Sequence, residues 1–276
     1  MNLCIAGKNR IAVEVADYVK RYMPEIRLYA LTNKNDTGVD TWQPSFLKYI
    51  HNNSDIITLT TLQNIYSIKD LVFLSLEYDR IINPTLFQSK RLFNIHFSLL
   101  PQYKGVYTSA WPILNGEKES GVTLHKIDKG IDTGEIICQQ KIPLTFSETA
   151  ESLYIKYINT GIQLVLKELD ALIHQDCPNS YPQPAIDSSY YSKKSIDYNN
   201  ASVDYRQTAA QIDRWVRAMY FPAFQYPKIF GYQIVKTEIT CQRSVAPPGT
   251  IIVDEKDCIE LATIDYNIIL YKRPTT

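Results

Sequence analysis

The chain has 276 residues, with 29 lysine and arginine side chains against 29 aspartate and glutamate side chains, so its formal net charge is zero. A neutral balance provides no overall basic surface for nucleic acid or an anionic membrane, and no stretch approaches the ~20 consecutive apolar residues of a membrane span. We therefore expect a cytoplasmic protein that binds neither nucleic acid nor membrane. The length suits one large domain, or a main domain with a smaller attachment.

The cysteines exclude two further classes of protein. They are odd in number and show no paired spacing, which is typical of reduced thiols in a cytosolic protein and not of a disulfide framework or a zinc site. The five are Cys4, Cys138, Cys177, Cys241 and Cys258. We expect no structural disulfide and no metal.

The first candidate binding segment follows the first predicted strand, Asn2 to Ala6. A dinucleotide-binding loop there would need three glycines in Gly-x-Gly-x-x-Gly, and only Gly7 is present, so a nicotinamide or flavin cofactor is not expected. The turn still joins the carboxyl end of a strand to the amino end of a helix, where backbone N–H groups and the helix dipole favour anions. Lys8, Asn9 and Arg10 are therefore candidates for binding a phosphate, with solvated turn residues as the alternative.

Alternating strands and helices continue to residue 90. The predicted strands are Ile26 to Leu31, Ile56 to Leu59 and Leu71 to Leu76, and the predicted helices are Trp42 to Ile50, Leu62 to Tyr66 and Pro84 to Lys90. The run from Leu71 is continuously apolar, which is typical of a strand buried on both faces of a parallel sheet. The alternation predicts the α/β class, with a doubly wound, mainly parallel Rossmann-like sheet whose ligands bind beyond the carboxyl ends of the strands.

The next strand places two polar side chains together. From Phe93 onward, apolar residues alternate with Asn94 and His96, so the amide and the imidazole share one face of the strand. Farther on, two glycines bracket Asp132 in a loop between two apolar runs. A lone histidine at a strand end is more often a hydrogen-bonded structural residue. The combination of amide, imidazole and carboxylate favours a catalytic site instead.

These residues also match a family pattern, position for position. The sequence reads Asn-x-His-x-Ser-Leu-Leu-Pro from Asn94, then Tyr-x-Gly from Tyr103 and Asp-Thr-Gly from Asp132. It thereby resembles the formyltransferases that use N10-formyltetrahydrofolate, which act on glycinamide ribonucleotide, methionyl-tRNA or nucleotide sugars. The likeness extends more loosely over residues 1–234. It implies a Rossmann-like formyltransferase fold, N10-formyltetrahydrofolate as co-substrate, no metal, and Asn94, His96 and Asp132 as catalytic residues.

The chemistry of formyl transfer suits these three side chains. The attacking amine must be unprotonated, negative charge develops on the formyl oxygen, and a proton must reach the leaving nitrogen. An imidazole such as His96 can carry the proton, and the Asn94 amide can donate to the oxyanion. Asp132 can orient and stabilise the charged imidazole or relay the proton through water. The sequence leaves open how His96 and Asn94 divide these roles. His125 could face the same cleft, and we expect it to support the catalytic residues without contacting the substrates.

The resemblance implies further binding residues. It places the loop of Leu76, Glu77 and Tyr78 against the pterin, and Tyr103 and Gly105 beside the substrate.

Three candidates lie farther along the chain. Lys194 belongs to a stretch similar to the family's Pro-Lys segment, and Arg217 precedes a turn, rich in Tyr and Phe, that begins at Tyr220. The aromatic rings could stack on a nucleobase, and the Arg217 guanidinium could pair with a phosphate. A role of the aromatic residues in the apolar core is an equally weighted alternative.

The remaining segments predict the domain organisation. An amphipathic helix is expected from Glu148 to Ile173, a proline-containing connecting arm as far as Ile186, and a helix from Thr208 to Tyr220. About four short strands follow Lys228. We predict a catalytic domain over 1–186, a connecting segment and helix completing the nucleotide site over 187–227, and a small β-rich C-terminal region over 228–276.

The C-terminal strands also predict assembly. The runs Ile251 to Val253 and Ile268 to Leu270 are too apolar to remain as uncovered edges of so small a unit. A homodimer through this region would cover them.

The favoured acceptor is a nucleotide-linked amino sugar. Glycinamide ribonucleotide enzymes contain little beyond the catalytic domain, whereas 90 residues follow residue 186 here. An enzyme acting on tRNA should carry a basic surface, which the zero net charge does not support. The sequence thus predicts formylation of a dTDP-amino-4,6-dideoxyhexose in bacterial surface-glycan biosynthesis of the O-antigen type, with UDP as the other candidate nucleotide.

Three other functions compete with this prediction. They are a methionyl-tRNA formyltransferase-like enzyme, a folate- or nucleotide-binding module without catalysis, and a metal-dependent hydrolase. The hydrolase would use His96, His125, Asp128 and Asp132, and it is disfavoured because no pair of ligands has the spacing of His-x-x-x-His.

Overall fold

A computed structural model describes residues 1–175 and 178–274, so Cys177 lies outside the described residues. The chain forms two compact units. The first comprises Met1–Gly105, Ser120–Ile142 and Lys156–Tyr190, and the second comprises Val106–Glu119, Pro143–Ile155 and the residues from Tyr191 onward. Neither described range contains a helix that is both long enough and apolar enough to cross a bilayer.

The strands and helices alternate through the first half of the chain. The strands are β1 Asn2–Gly7, β2 Arg27–Thr32, β3 Ile57–Leu59, β4 Leu71–Leu76, β5 Leu92–His96, β6 Lys104–Gly105, β7 Glu119–Lys126, β8 Ile136–Pro143, β9 Tyr190–Tyr191, β10 Lys228–Ile229, β11 Tyr232–Arg243, β12 Ile251–Asp254, β13 Cys258–Leu261 and β14 Tyr266–Lys272. The helices are α1 Asn9–Tyr22, α2 Phe46–His51, α3 Leu62–Ile65, α4 Trp111–Leu114, α5 Ala150–His174 and α6 Ala209–Met219.

The first unit is built on a seven-stranded sheet with the order β3-β2-β1-β4-β5-β7-β8. The pairs β1–β2, β1–β4, β2–β3 and β4–β5 are parallel, whereas β7 runs antiparallel to β5. Every residue of β4 is buried, as its continuous apolar run predicts. The predicted doubly wound, mainly parallel sheet is confirmed. The strand order reverses between β1 and β4, and in such sheets ligands bind at this point, beyond the carboxyl ends.

Gly7 brings the ends of β1 and β4 close together. A Cβ at this position would lie 2.0 Å from the carbonyl oxygen of Leu76. The next N–H, that of Lys8, donates to the same oxygen at 3.2 Å. The two loops that leave this edge of the sheet therefore start side by side.

Two predicted helices are shorter than expected. The helix predicted from Trp42 begins only at Phe46, because the hydroxyl of Ser45 accepts the N–H of Lys48 and caps the helix there. The helix predicted from Pro84 to Lys90 is a single 3₁₀ turn, Pro84–Leu86.

The second unit contains a five-stranded sheet with the order β10-β11-β14-β13-β12. Its described pairs are antiparallel, and the short β10 adds a strand to the four that were expected. The predicted small β-rich C-terminal appendage is confirmed. One face of the sheet packs with α6 in a buried cluster of Val203, Ala209, Ile212, Val216, Ile229, Ile234, Leu261, Ile268 and Leu270.

This packing corrects part of the assembly argument. Ile268 and Leu270 are fully buried within their own chain, so the expectation that this run needs a second subunit to cover it is wrong. The other run lies on the edge strand β12, where Ile251 and Ile252 are 39% and 42% exposed.

Candidate active site

Strand β5 sets the directions of Asn94 and His96. The neighbouring Ile95 and Phe97 are buried on the opposite face, where Gly161 of α5 makes room for them: a Cβ on that glycine would lie 3.3 Å from the Phe97 ring and 3.7 Å from Ile95. The alternation predicted from the sequence is confirmed. The amide and the imidazole therefore face the loop between β7 and β8.

Asp132 in that loop is the point where the site converges. Its carboxylate accepts the backbone N–H of Gly105 at 2.9 Å and the side-chain N–H of Asn94 at 3.4 Å. The Nδ1 of His96 lies 3.5 Å from Oδ2, and the Nε2 of His125 lies 3.6 Å from Oδ1. An amide, two imidazoles and a backbone N–H thus surround one carboxylate whose side chain is 13% exposed.

The surroundings of Asp132 keep it charged. Burial acts to raise the pKa of its carboxyl group, but the attraction of the His96 imidazole, the interaction with His125 and the hydrogen bond from the Gly105 N–H outweigh burial. The pKa of Asp132 is consequently held well below its ordinary value. The site therefore contains a buried negative charge directed at the histidines.

Both ring nitrogens of His96 have protein partners. Nε2 lies 2.8 Å from the backbone oxygen of Tyr103, which can only accept, so Nε2 carries a hydrogen. Nδ1 then faces Asp132. Tyr103 itself has a positive φ of 58° and is held through its N–H, which donates to the hydroxyl of Ser189 at 2.8 Å.

His125 orients the amide of Asn94. The Nδ1 of this buried ring lies 2.8 Å from the backbone oxygen of Lys126 and must donate to it. In the neutral ring Nε2 is then an acceptor, and the Asn94 amide nitrogen lies 3.0 Å away. His125 therefore contacts Asn94 directly, a closer role than its predicted position behind the site.

The loop that follows His96 is fixed from below by β7 and β8. The hydroxyl of Thr123 donates to the backbone oxygen of Ser98 at 2.7 Å and accepts the N–H of Leu100 at 3.2 Å. Gln139 donates to the backbone oxygen of Leu100 at 2.9 Å. The buried polar groups beneath the site are thus satisfied by side chains of the same sheet.

The predicted pterin loop follows β4 and has a strained backbone. Glu77 has a φ of 62°, and its backbone oxygen accepts the side-chain N–H of Asn33 at 2.9 Å. The Asn33 side-chain oxygen accepts the N–H of Asp79 at 3.1 Å. Tyr78, which lies between Glu77 and Asp79 in the chain, packs against the hydrophobic core. Asn33, only 3% exposed, therefore clamps the loop on both sides of Tyr78.

Asn33 was not among the predicted site residues. Its signal was present in the sequence, since it is a polar residue just beyond the carboxyl end of β2, at the ligand-binding edge of the sheet.

The three predicted phosphate-binding side chains point to different partners. Asn9 donates to the carboxylate of Glu77 at 3.4 Å. Arg10 forms an ion pair with Glu14 at 3.3 Å and donates to the side chain of Asn159. The side chain of Lys8 is half-buried at the start of α1. Asn9 and Arg10 therefore have partners within the protein.

The remaining predicted binding residues belong to the second unit. Arg217 donates through Nε to the carboxylate of Asp213 and through Nη1 to the backbone oxygen of Glu148, both at 2.8 Å. Tyr220 packs edge-on against Tyr226 with ring centroids 5.6 Å apart, and Lys194 is exposed. These contacts do not bring the three predicted residues together, and the guanidinium of Arg217 is held by protein groups.

The fold and the site together define a class of protein. A mainly parallel sheet that presents an amide, an imidazole and an ionised carboxylate at one edge suits acyl-group transfer with proton movement. The family model described as "Formyl transferase" matches residues 61–169, and the model described as "Formyl transferase, C-terminal domain" matches residues 195–273. The chain belongs to the formyl transferase family, a family of enzymes, as the sequence motif predicted.

Two solved structures are similar over nearly the whole chain. An N-formyltransferase from Helicobacter canadensis, in complex with folinic acid and dTDP-3-aminofucose, is 40% identical with a TM-score of 0.89, covering 98% of this chain and 99% of its own. The second is WlaRD, a sugar 3N-formyltransferase in the presence of dTDP and 5-N-formyl-tetrahydrofolate. It is 39% identical with a TM-score of 0.90, and the match covers 100% of this chain and 99% of WlaRD.

Curated relatives match over shorter segments. A methionyl-tRNA formyltransferase from Clostridium beijerinckii is 31% identical over 65% of this chain and 58% of its own length. A GDP-perosamine N-formyltransferase from Brucella melitensis is 38% identical over 48% of this chain and 49% of its own length. The chain thus spans about half the length of these relatives.

Proposed function

We propose that this protein transfers a formyl group from N10-formyltetrahydrofolate to the amine of a dTDP-linked amino-deoxyhexose. The observation that carries the proposal is the contact of one ionised carboxylate, Asp132, with both Asn94 and His96. The Helicobacter canadensis enzyme, 40% identical over almost the whole chain, supports the dTDP-sugar and favours an amine at position 3 of the sugar. On this proposal the product enters a bacterial surface glycan.

Asn94 is assigned to the formyl oxygen. N10-formyltetrahydrofolate supplies a formyl carbon whose bond to N10 breaks as the sugar nitrogen bonds to that carbon. An amide N–H stabilises the negative charge that develops on the oxygen without changing its own charge. The contact of Asn94 with His125 at 3.0 Å fixes the orientation of the amide before substrates bind. The N–H on the longer contact with Asp132, at 3.4 Å, is the one that donates to the formyl oxygen.

His96 is assigned to the proton that leaves the sugar nitrogen and reaches N10. The nitrogen that exchanges this proton is Nε2, because Nδ1 faces Asp132. The hydrogen that Nε2 donates to the backbone oxygen of Tyr103 in this structure passes to N10, and the proton of the sugar nitrogen replaces it. The negative charge of Asp132 stabilises the ring while both of its nitrogens carry a hydrogen. No covalent enzyme intermediate is required.

The loop Leu76, Glu77 and Tyr78 is assigned to the pterin. Within the part of the chain that the structure describes, no backbone hydrogen bond of Tyr78 is found, so its N–H and C=O are available to a ring with donors and acceptors along its edge. Asn33 holds the neighbouring groups of Glu77 and Asp79, which keeps this edge in place. The loop therefore fits a pterin bound through backbone groups.

The sugar nucleotide is assigned to the other residues that the sequence predicts for substrate binding. In this proposal Tyr103 and Gly105 lie beside the amino sugar, and Lys8, Asn9, Arg10, Lys194, Arg217 and Tyr220 bind the nucleotide. Residues 1–186 carry the chemistry, 187–227 complete the nucleotide site, and 228–276 serve assembly.

An acceptor panel tests the proposal. Purified protein is supplied with N10-formyltetrahydrofolate and dTDP-, UDP- and GDP-linked amino sugars that carry the amine at position 3 or 4, with initiator tRNA as a further acceptor. We expect the highest kcat/KM with a dTDP-3-amino sugar. Preference for a GDP-sugar would support the activity named for the Brucella relative, and formylation of the tRNA alone would overturn the sugar assignment.

We further propose a homodimer that covers strand β12. This strand ends the five-stranded sheet, and its exposed Ile251 and Ile252 leave an apolar edge with unpaired backbone groups. A symmetric pairing with the same edge of a second copy would cover both.

A further inference from the structure

The segment predicted as a connecting arm lies along the loop that carries Asp132. Ile136 and Tyr181 exchange two backbone hydrogen bonds, at 2.8 and 2.9 Å, in an antiparallel bridge. One residue earlier, the hydroxyl of Ser180 donates to the carboxylate of Glu135 at 2.7 Å. The arm is therefore attached to the end of the loop by backbone pairing as well as by a side chain.

Gln183 continues this attachment to Asp132 itself. Its side-chain nitrogen donates to the backbone oxygens of Asp132 and Gly134, each at 2.8 Å, so both amide hydrogens are used. On the other side, Gly134 lies so close to β7 that a Cβ would be 1.8 Å from the backbone oxygen of Lys126. The loop is thus held between the sheet and the Gln183 amide.

The backbone of Asp132 needs such support. Its φ of 54° lies in the left-handed region, which a residue with a side chain occupies only when its surroundings enforce it. This conformation directs the carboxylate to the Gly105 N–H, Asn94 and His96. If the backbone of Asp132 left this conformation, its carboxylate would move away from all three groups.

We propose that Gln183 is a positioning residue for formyl transfer, which holds Asp132 in its left-handed conformation so that the carboxylate meets His96 and Asn94. The inference rests on the proposed function. Gln183 lies between the segments that the two family models match, 61–169 and 195–273, so the family match itself assigns it nothing. Its hydrogen bonds within the described residues reach the backbone of Asp132 and Gly134 and not the side chains of Asn94, His96 or His125, so it acts through Asp132.

The first test separates turnover from binding. Gln183→Glu replaces the two donated hydrogens by a carboxylate that faces two carbonyl oxygens, and Gln183→Met removes the donors without adding charge. We expect kcat to fall about 10- to 100-fold in both, the range for misplacing a reacting group by about 1 Å, with KM for both substrates nearly unchanged. Gln140→Glu makes the same change on an exposed side chain of β8 and should leave kcat unaltered.

The second test reports the carboxylate position without turnover. The Gly105 amide donates to Asp132, so its hydrogen exchange follows the carboxylate. In Gln183→Met we expect this amide to exchange about tenfold faster, the effect of losing one hydrogen bond, while the amide of Leu124 within β7 keeps its rate. An unchanged Gly105 amide would overturn the inference.

A double-mutant cycle shows whether Gln183 acts by positioning the Asp132 carboxylate or only by stabilising the surrounding fold. If Gln183 acts through the carboxylate, Gln183→Met should lower kcat much less in an Asp132→Asn background than in the wild type. Equal losses in the two backgrounds would overturn the inference. A wild-type protein inactive with every acceptor would overturn the proposed function, whereas an active wild type with full turnover in both Gln183 variants would overturn the inference alone.

Discussion

The Nδ1 of His96 lies 3.5 Å from Oδ2 of Asp132, and the other nitrogen of the same ring donates to the backbone oxygen of Tyr103 at 2.8 Å. Both ring nitrogens are therefore held by protein groups. Nδ1 faces the Asp132 carboxylate, and Nε2 donates to a carbonyl oxygen that a substrate nitrogen can replace. On the proposed function, the first contact stabilises the imidazolium and the second marks where the proton enters and leaves.

Replacing either polar residue of β5 should abolish most turnover. We expect His96→Ala and Asn94→Ala each to lower kcat about 10²-fold or more, the range for loss of a proton carrier or an oxyanion donor. Steady-state kinetics with circular dichroism as a folding check would measure this. His51→Ala, on an exposed face of α2, is the matched control. Near-normal turnover in both folded variants would remove these residues from the mechanism.

Asp132→Asn should affect chemistry and not binding. The carboxylate stabilises the charged form of His96, so its loss should lower kcat by about 10²-fold while KM for both substrates changes little. Initial rates at varied concentrations of each substrate separate the two constants. A large rise in KM with normal kcat would instead make Asp132 a binding residue.

The low pKa of Asp132 also predicts a pH dependence of stability. A carboxyl group whose pKa is lower in the folded than in the unfolded chain stabilises the fold above its unfolded pKa of about 3.9, and this contribution disappears as pH falls toward the folded pKa. The difference in unfolding free energy between wild type and Asp132→Asn should thus be constant above pH ~5 and shrink below pH ~4. Urea unfolding at several pH values measures it, and a difference that grows on acidification would contradict the assignment.

Asn33 should control affinity for the folate. Asn33→Ala releases the backbone groups of Glu77 and Asp79, so we expect KM for N10-formyltetrahydrofolate to rise about fivefold to tenfold while KM for the sugar nucleotide is unchanged. Asn35→Ala, two residues along and exposed, is the control. Equal increases in both KM values would point to general disorder of the site.

Arg217 offers a choice between a structural and a binding role. Its contacts with Asp213 and the backbone oxygen of Glu148 predict that Arg217→Met lowers the free energy of unfolding by about 1–3 kcal/mol. Urea denaturation tests this. Unchanged stability combined with a raised KM for the sugar nucleotide would establish Arg217 as a phosphate ligand and show that the protein contacts are secondary.

The homodimer should depend on strand β12. Light scattering of the full-length protein should give a mass near twice 31.8 kDa, and Ile252→Lys should shift it toward the monomer by placing a charge on the apolar edge. Val245→Lys, at a residue that is 96% exposed, should leave the mass unchanged. A wild-type monomer at micromolar concentration would contradict the proposed assembly.

The parts of the site that follow local patterns could be predicted. The alternation around Asn94 is a property of five successive residues, and the strands and helices around it follow from apolar periodicity. The antiparallel placement of β7 beside β5 was not predicted, because apolar runs carry no sign of strand direction.

Long-range contacts account for what the sequence analysis missed. Asn33 meets Glu77 across 44 residues, and Gln183 meets Asp132 across 51. The place of Asn33 after β2 marks the edge of the sheet where ligands bind, but the partners of both amides come from distant segments that only the folded sheet brings near. Arg217 differs from both, because its ion-pair partner Asp213 lies one turn before it in the same helix.

The most direct test follows the formyl group itself. Protein is mixed with N10-formyltetrahydrofolate labelled at the formyl carbon and with dTDP-3-aminofucose, and the sugar nucleotide is recovered and examined by mass spectrometry and carbon NMR. We expect labelled formamide at the sugar amine with the wild type and its near absence with His96→Ala. Release of labelled formate without any formylated sugar, or equal transfer by His96→Ala, would contradict this expectation.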